Sequence, residues 1–318
     1  MAKKASTFGK NNKRAYAFLA PALVSIILLS ILPMIYSVFL AFTDYGLSNL
    51  SNGYGTADGW HMVGFYQFGQ ILAGPLKGEF FPLLLWTIVF AVLSTFGCYF
   101  LGLIFAMLLS DEDLKEAPVY KALLIIPWAL PGAITIIAFK GLFNSDYGAI
   151  NAALQNLHII KDPIMWLTTP FAARAAVILL NLWLGYPYMM NICMGALAAI
   201  PSSYYEAADI DGATGLQKFF KITLPSLART SYPLLISSFA FNFNNFNTAF
   251  LLTDGGPAKE GASFSGWTDI IGSAAYNMST KQGQFALGSA MSVIIFIIIG
   301  TISFVNMKAS GQFEEVEG

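Results

Sequence analysis

Two short stripes hold the side chains best suited to binding chemistry. Asn181, Leu184, Gly185 and Tyr188 recur at i, i+3, i+4 and i+7, as do Ser238, Phe241, Asn242 and Asn245. That spacing puts each set on one face of a helix. Asparagine both donates and accepts, so it matches hydroxyl groups, and flat aromatic faces can cover the C–H face of a sugar ring. Neither stripe has a fixed charge to seize an ion. The chemistry suits a neutral, hydroxyl-rich ligand. By residue type alone, interhelical glue is the commoner role for such amides, because a polar group in hydrocarbon must find a partner. Asn244 and Asn247 fall on other faces and read as glue. The chain lacks the GxxxxGK phosphate loop and the HExxH and GxSxG motifs. His61 and His158 lie far apart in loops without metal-ligand neighbours, and Cys98 and Cys193 read as small buried hydrophobes.

A second candidate is the polar interruption "EAADIDGATGLQKFFKITLP", residues 206–225. Each of its acids would cost about 2.5–3.5 kcal/mol at the centre of a bilayer, so the segment belongs in water. Pro201, Ser202 and Ser203 end one helix and offer caps for the next. The spacing predicts a short helix over 206–211 with its acids near the positive N-terminal end. Gly212 and Gly215 permit a turn. Leu216, Phe219 and Phe220 form an apolar face on a second short helix, and Pro225 precedes the return to the bilayer. An ordinary amphipathic loop lying on the lipid surface would show much of the same composition.

The elements that must position these residues are membrane helices. The chain is 56% hydrophobic and 11% charged, with a mean hydropathy of +0.62, which points away from a soluble domain. Its net charge of −1 gives no basic field for nucleic acid. Six runs lack Asp, Glu, Lys and Arg: 15–43, 80–110, 122–139, 175–205, 230–253 and 282–307. Each reaches the ~18 or more residues that span ~30 Å as a helix, and lipid requires each backbone to satisfy itself. The frequent prolines (33, 127, 131, 187, 233) are tolerated between packed membrane helices and often border a cavity.

The fold class expected is therefore an all-α polytopic membrane protein with six transmembrane helices. A cytoplasmic segment (1–14), a transmembrane domain (15–307, with 201–226 cytoplasmic) and a frayed cytoplasmic tail (308–318) make up the chain. Lysine and arginine number eleven on one side (Lys3, Lys4, Lys10, Lys13, Arg14, Lys115, Lys121, Lys218, Lys221, Arg229, Lys308) and six on the other. That asymmetry places both termini and the polar segment in the cytoplasm. A cleaved leader over 1–42 fits less well, since the apolar run is long and leads to no small-x-small site. Glu112, Asp113 and Lys115 read as a solvated turn. Arg174 and Lys140 read as snorkelling to the outer interface. Trp86, Trp128, Trp166 and Trp183 read as belt or packing residues.

Glu206-Ala207-Ala208, three residues, Gly212, nine residues and then Ile222-x-Leu224-Pro225 resembles the EAA loop of binding-protein-dependent ABC importer permeases. "NLWLGYPYMM" (181–190), "SFAFNFNNF" (238–246) and "LLTDGGP" (251–257) are similar to the MalF-type permease subunits of maltose and maltodextrin importers. The likeness runs from about Phe80 to the C-terminus. It implies the type I ABC importer permease fold, with Glu206, Ala207, Ala208 and Gly212 docking on an ATP-binding subunit. It also implies a sugar site lined by Asn181, Leu184, Gly185, Tyr188, Ser238, Phe241, Asn242 and Asn245. The partners implied are a second homologous permease, two ATP-binding subunits and an extracellular sugar-binding protein, in a bacterial cytoplasmic membrane. ATP and Mg would sit on the partners, with no cofactor or metal on this chain and no nucleic-acid partner. Unlike the enterobacterial subunit, the chain shows no two additional N-terminal helices and no large outward domain after the third helix. That departure suggests a Gram-positive-type system with a lipid-anchored binding protein. An ion-coupled transporter would need intramembrane acids, and an enzyme on lipid-linked sugars would need an acid–base pair within the spans.

Overall fold

The computed structural model describes residues 12–47, 60–111 and 113–309. Lys3, Lys4, Lys10, Glu112, the tail beyond Ala309 and residues 48–59 lie outside the described residues.

The described residues are mostly helical, and their β structure is limited to two isolated bridges, Thr43 with Met62 and Ala258 with Gly266. The first membrane helix is α1 (Asn12–Ile26), a π turn (Ile27–Ile31) and α2 (Leu32–Leu40) in continuous succession. Next come α3 (Tyr66–Leu72) and the long α4 (Lys77–Leu109). Short α5 (Ala117–Leu124) and α6 (Ile126–Ala129) lead to α7 (Gly132–Leu142) and α8 (Ala149–Asn156). The second half holds α9 (Pro170–Ala198), α10 (Ser202–Ile210), α11 (Gly215–Lys218), a second π turn (Phe219–Thr223), α12 (Leu224–Phe243), α13 (Phe246–Thr253), α14 (Ile271–Thr280) and α15 (Phe285–Ala309). Both π turns end two residues before a proline, Pro33 and Pro225. A pyrrolidine ring clashes with the carbonyl four residues back, and a widened turn relieves that clash while the helix continues.

Among the described residues, four helices are long and apolar enough to cross a membrane: Tyr16–Leu40, Lys77–Leu109, Pro170–Ala198 and Phe285–Val305. The runs at 122–139 and 230–253 are not the unbroken helices expected. The first breaks at Leu130, which is extended (ψ 145°) because the following Pro131 disfavours helical backbone before it. The second breaks at Asn245 (φ −78°, ψ 76°), where Phe246 N donates to Asn244 O at 2.9 Å in an inverse γ-turn. No proline marks this break. The asparagines offer the backbone local alternatives to helix.

Helices α4 and α9 form the spine. A Cβ on Gly102 would lie 2.5 Å from Met190 N, and one on Gly185 would lie 2.6 Å from Cys98 Sγ. Glycine at these positions lets the two backbones meet, as small residues do between membrane helices. Around the spine, α12, α14 and α15 bury Phe80, Phe243, Ile271, Met278 and Met291. On the other side, α7, α9 and α13 enclose Phe90, Val177, Leu180 and Leu252. By contrast, the most apolar stretch of the first helix is wholly unburied.

The loop before α14 is tied down by side chains from distant helices. Glu79 accepts hydrogen bonds from the backbone N–H of Ser263, Phe264 and Ser265 and from both serine hydroxyls, at 2.7–3.0 Å. Arg174 does not snorkel outward as expected. Its Nε donates to Trp267 O at 2.7 Å, and its guanidinium lies 4.1 Å from the ring centre of Trp86 and 5.0 Å from that of Trp267. Two aromatic faces and a carbonyl hold the cation better there than a single interfacial position would. In the same loop, buried Asp269 accepts from Gly266 N and Ser273 Oγ. Burial pushes its carboxyl above the ordinary value, against those hydrogen bonds.

Candidate functional site

A cavity of about 550 Å³ opens between α9, α12 and the two helix breaks. It brings together all eight stripe residues: Asn181, Leu184, Gly185 and Tyr188 from α9, Ser238, Phe241 and Asn242 from α12, and Asn245 from the break. The α6–α7 break adds Trp128 and Leu130, and α13 adds Asn247 and Thr248. Irregular backbone at membrane depth is tolerated where it lines a cavity or is buried in protein.

Its deeper wall is an amide network. Asn181 Nδ2 donates to Asn242 Oδ1 at 2.9 Å, and Asn245 Nδ2 donates to Asn181 Oδ1 at 2.9 Å. Thr248 Oγ1 donates to that same Asn181 oxygen at 3.3 Å. Asn242 Nδ2 donates to Ser238 O at 2.9 Å and to Thr95 Oγ1 of α4 at 3.2 Å. Asn181 and Asn242 are each only 5% exposed. These two amides therefore act as glue, joining α4, α9 and α12 across the break. Asn245 lines the cavity, and its Oδ1 has no hydrogen-bond partner among the described residues.

The accessible surface is aromatic. Phe241 is 70% exposed and Tyr188 43%, and the Tyr188 ring lies 6.3 Å from that of Trp128 with an interplanar angle of 35°. The three rings frame the space above the network and can cover the apolar face of a ring-shaped ligand. Gly185 lines the cavity, but what requires a glycine there is contact with Cys98.

Sequence reasoning missed Trp128, Asn247 and Thr248. Trp128 was assigned to packing and Asn247 to another face, yet both line the cavity. For Trp128 the signal is present as Pro127 and Pro131 on either side. For Asn247, helical periodicity fails because the helix is broken at Asn245.

The polar segment forms a hairpin. α10 begins at Ser202, four residues earlier than expected, with Pro201 in extended conformation as N-cap and no side-chain cap from the serines. Glu206, Asp209 and Asp211 consequently lie outside its first turn, away from the positive end. Asp209, near the C-terminal end, pairs instead with Lys218. Gly212 has φ +73°, a left-handed turn that L side chains resist. Gly215 does not turn the chain. It starts α11, capped by Thr214 through a reciprocal box with Gln217 at 3.4 and 2.8 Å. Glu206, Ala207 and Gly212 are exposed and Ala208 is half-buried. Leu216 and Phe220 are exposed, while Phe219 packs inward on the α4–α9 core.

Broken apolar helices, a cavity at their breaks and an exposed helical hairpin outside the apolar layers define a polytopic membrane transport component. The chain belongs to the binding-protein-dependent transport system inner membrane component family, whose model matches residues 117–312. It is 42% identical over 272 residues to the maltose/maltodextrin transport system permease protein MalF of Klebsiella aerogenes, covering 84% of this chain and 52% of that one. To the protein of the same name in Escherichia coli K12 it is 40% identical over 280 residues, covering 86% and 53%. The chain spans about half the length of the curated relatives it matches. Its fold is shared with a chain of the bacterial ABC transporter involved in import of the acidic polysaccharide alginate, with a TM-score of 0.75, 18% identity, and 95% and 96% of the two chains covered.

Proposed function

We propose that this chain is the permease subunit of an ATP-driven importer of maltose/maltodextrin-type oligosaccharides, and that sugar passes through the cavity at the helix breaks. The observation that carries this reading is the convergence of both stripes on one uncharged cavity with three exposed aromatic rings. Asn245 Oδ1 and the Tyr188 hydroxyl would meet sugar hydroxyls, while Phe241, Tyr188 and Trp128 cover C–H faces. Asn181, Asn242 and Ser238 fix the wall, and Leu184 and Gly185 shape it.

The energy source is proposed to lie on partners: two ATP-binding subunits carrying ATP and Mg, with a second homologous permease and an extracellular sugar-binding protein completing the system. Glu206, Ala207, Ala208 and Gly212 would dock on an ATP-binding subunit, which requires the hairpin and both termini on the cytoplasmic side. Closure of the ATP-binding pair would move α10, and the membrane helices would rock about the cavity, exposing it first outward and then inward.

The test is ATP-dependent uptake of labelled maltotriose by the assembled complex in proteoliposomes. Uptake is expected only with ATP and the binding protein. Accumulation by the purified chain alone, driven by an ion gradient, would overturn the reading.

A further inference from the structure

The hairpin is fastened to the membrane helices asymmetrically. Towards α9 the helix ends at Ala198, and the chain passes through an extended Pro201 before α10 begins. Beside the packed Phe219, a cavity of about 290 Å³ lies between the hairpin and the ends of α4 and α9, lined by Met107, Ser110 and Leu197 on their side and by Tyr205, Lys218 and Thr223 on the hairpin's. Towards α12 the hairpin is joined by a direct side-chain hydrogen bond at the rim of that cavity. Tyr205 Oη of α10 lies 2.9 Å from Thr223 Oγ1, the last residue of the second π turn. Thr223 Oγ1 in turn donates to Lys218 O at 3.5 Å, which leaves Tyr205 as the donor to Thr223. The Lys218 ammonium reaches back to Asp209 of α10. Thr223 is buried, and from Leu224 the helix runs on to Ser238 and Asn242 in the cavity wall.

We infer that the Tyr205–Thr223 hydrogen bond is the positioning contact through which α10 moves α12, and with it the cavity wall at Ser238 and Asn242. The inference rests on the coupling role proposed above for 206–212 and names the route of the push. On the α4–α9 side the cavity leaves α10 room to move beside the apolar packing of Phe219. A displacement on the α12 side is resisted by a bond at the base of a continuous helix. Removing one hydroxyl leaves the packing of Tyr205 and Thr223 in place but lets the hairpin slide on the π turn.

The experiment uses the complex assembled with its second permease, ATP-binding subunits and binding protein in proteoliposomes, reading maltotriose taken up per ATP hydrolysed. Tyr205→Phe and Thr223→Val are each expected to lower that ratio about two- to tenfold, the range one hydrogen bond supports. Thr223→Ser, which keeps the hydroxyl, should restore it to within about twofold. The double variant should be no worse than Thr223→Val alone, because Tyr205→Phe removes a contact that Thr223→Val has already lost. Unchanged ratios in both single variants, additive losses, or failure of Thr223→Ser to rescue would overturn the inference. So would loss of assembly in both single variants, which would make the bond a folding contact. If the unmutated complex shows no ATP-dependent uptake, the function proposed above fails, and the result is distinct from all of these.

Discussion

Asn242 and Tyr188 face one cavity, but their removal would leave different damage. Asn242→Ala strips the acceptor from Asn181 Nδ2 and a donor from Thr95 Oγ1 inside the protein. Leaving buried polar groups unpaired costs about 1–3 kcal/mol. The variant should therefore lose both maltotriose uptake and thermal stability, measured on the purified complex. Tyr188→Ala removes a half-exposed ring tilted beside Trp128. Uptake should fall while the stability stays within about 0.5 kcal/mol of the parent. Equal stability losses in the two would mean that the ring is structural. The stripes themselves were legible in the sequence, because amides and aromatics at i, i+3, i+4 and i+7 stand out in an apolar run. The Thr95 contact was not, since it joins residues 147 positions apart and nothing local selects Thr95 from its neighbours.

Among the elements, the hairpin turn and the loop before α14 make opposite demands on single residues. Gly212 has open space where a Cβ would go, so its requirement is the left-handed backbone at φ +73°. Gly212→Asp should strain that turn by about 1–2 kcal/mol and add a charge beside Asp211. ATP hydrolysis should persist while uptake falls, as read from the two rates on one preparation. Glu79 is instead held by its partners. Glu79→Gln keeps the shape but replaces charged acceptance from five donors with a weaker, half-mismatched set. Faster proteolysis of the 254–268 loop is expected, and an unchanged rate would show that Arg174 and Asp269 suffice. The two helix breaks differ in how far the sequence disclosed them. Leu130 precedes a proline, and that signal was available. Asn245 breaks a helix with no proline or glycine nearby, and the outcome depends on tertiary partners such as Asn181.

For the molecule as a whole, the α4–α9 spine decides whether the cavity exists. Gly102→Ala would drive a methyl group into the Met190 backbone and should cost about 1–3 kcal/mol, as overpacking does. Gly195→Ala on the other spine helix, α9, meets nothing within 4 Å and should not destabilise. Thermal melts of the two variants make the comparison, and equal midpoints would dissolve the idea of a glycine-dependent spine. Four of the six apolar runs foretold long helices because hydrocarbon leaves a backbone few options, whereas 122–139 and 230–253 hold breaks. The tie between α10 and α12 lay beyond that reasoning, since it is made by one hydroxyl pair rather than by pattern. The amide network carries one last implication. Polar atoms already satisfied by their neighbours have little left to offer a visitor, so a sugar would rest there loosely and leave easily. Recognition sharp enough to pick one sugar from a mixture would then have to be exercised before the molecule reaches the membrane.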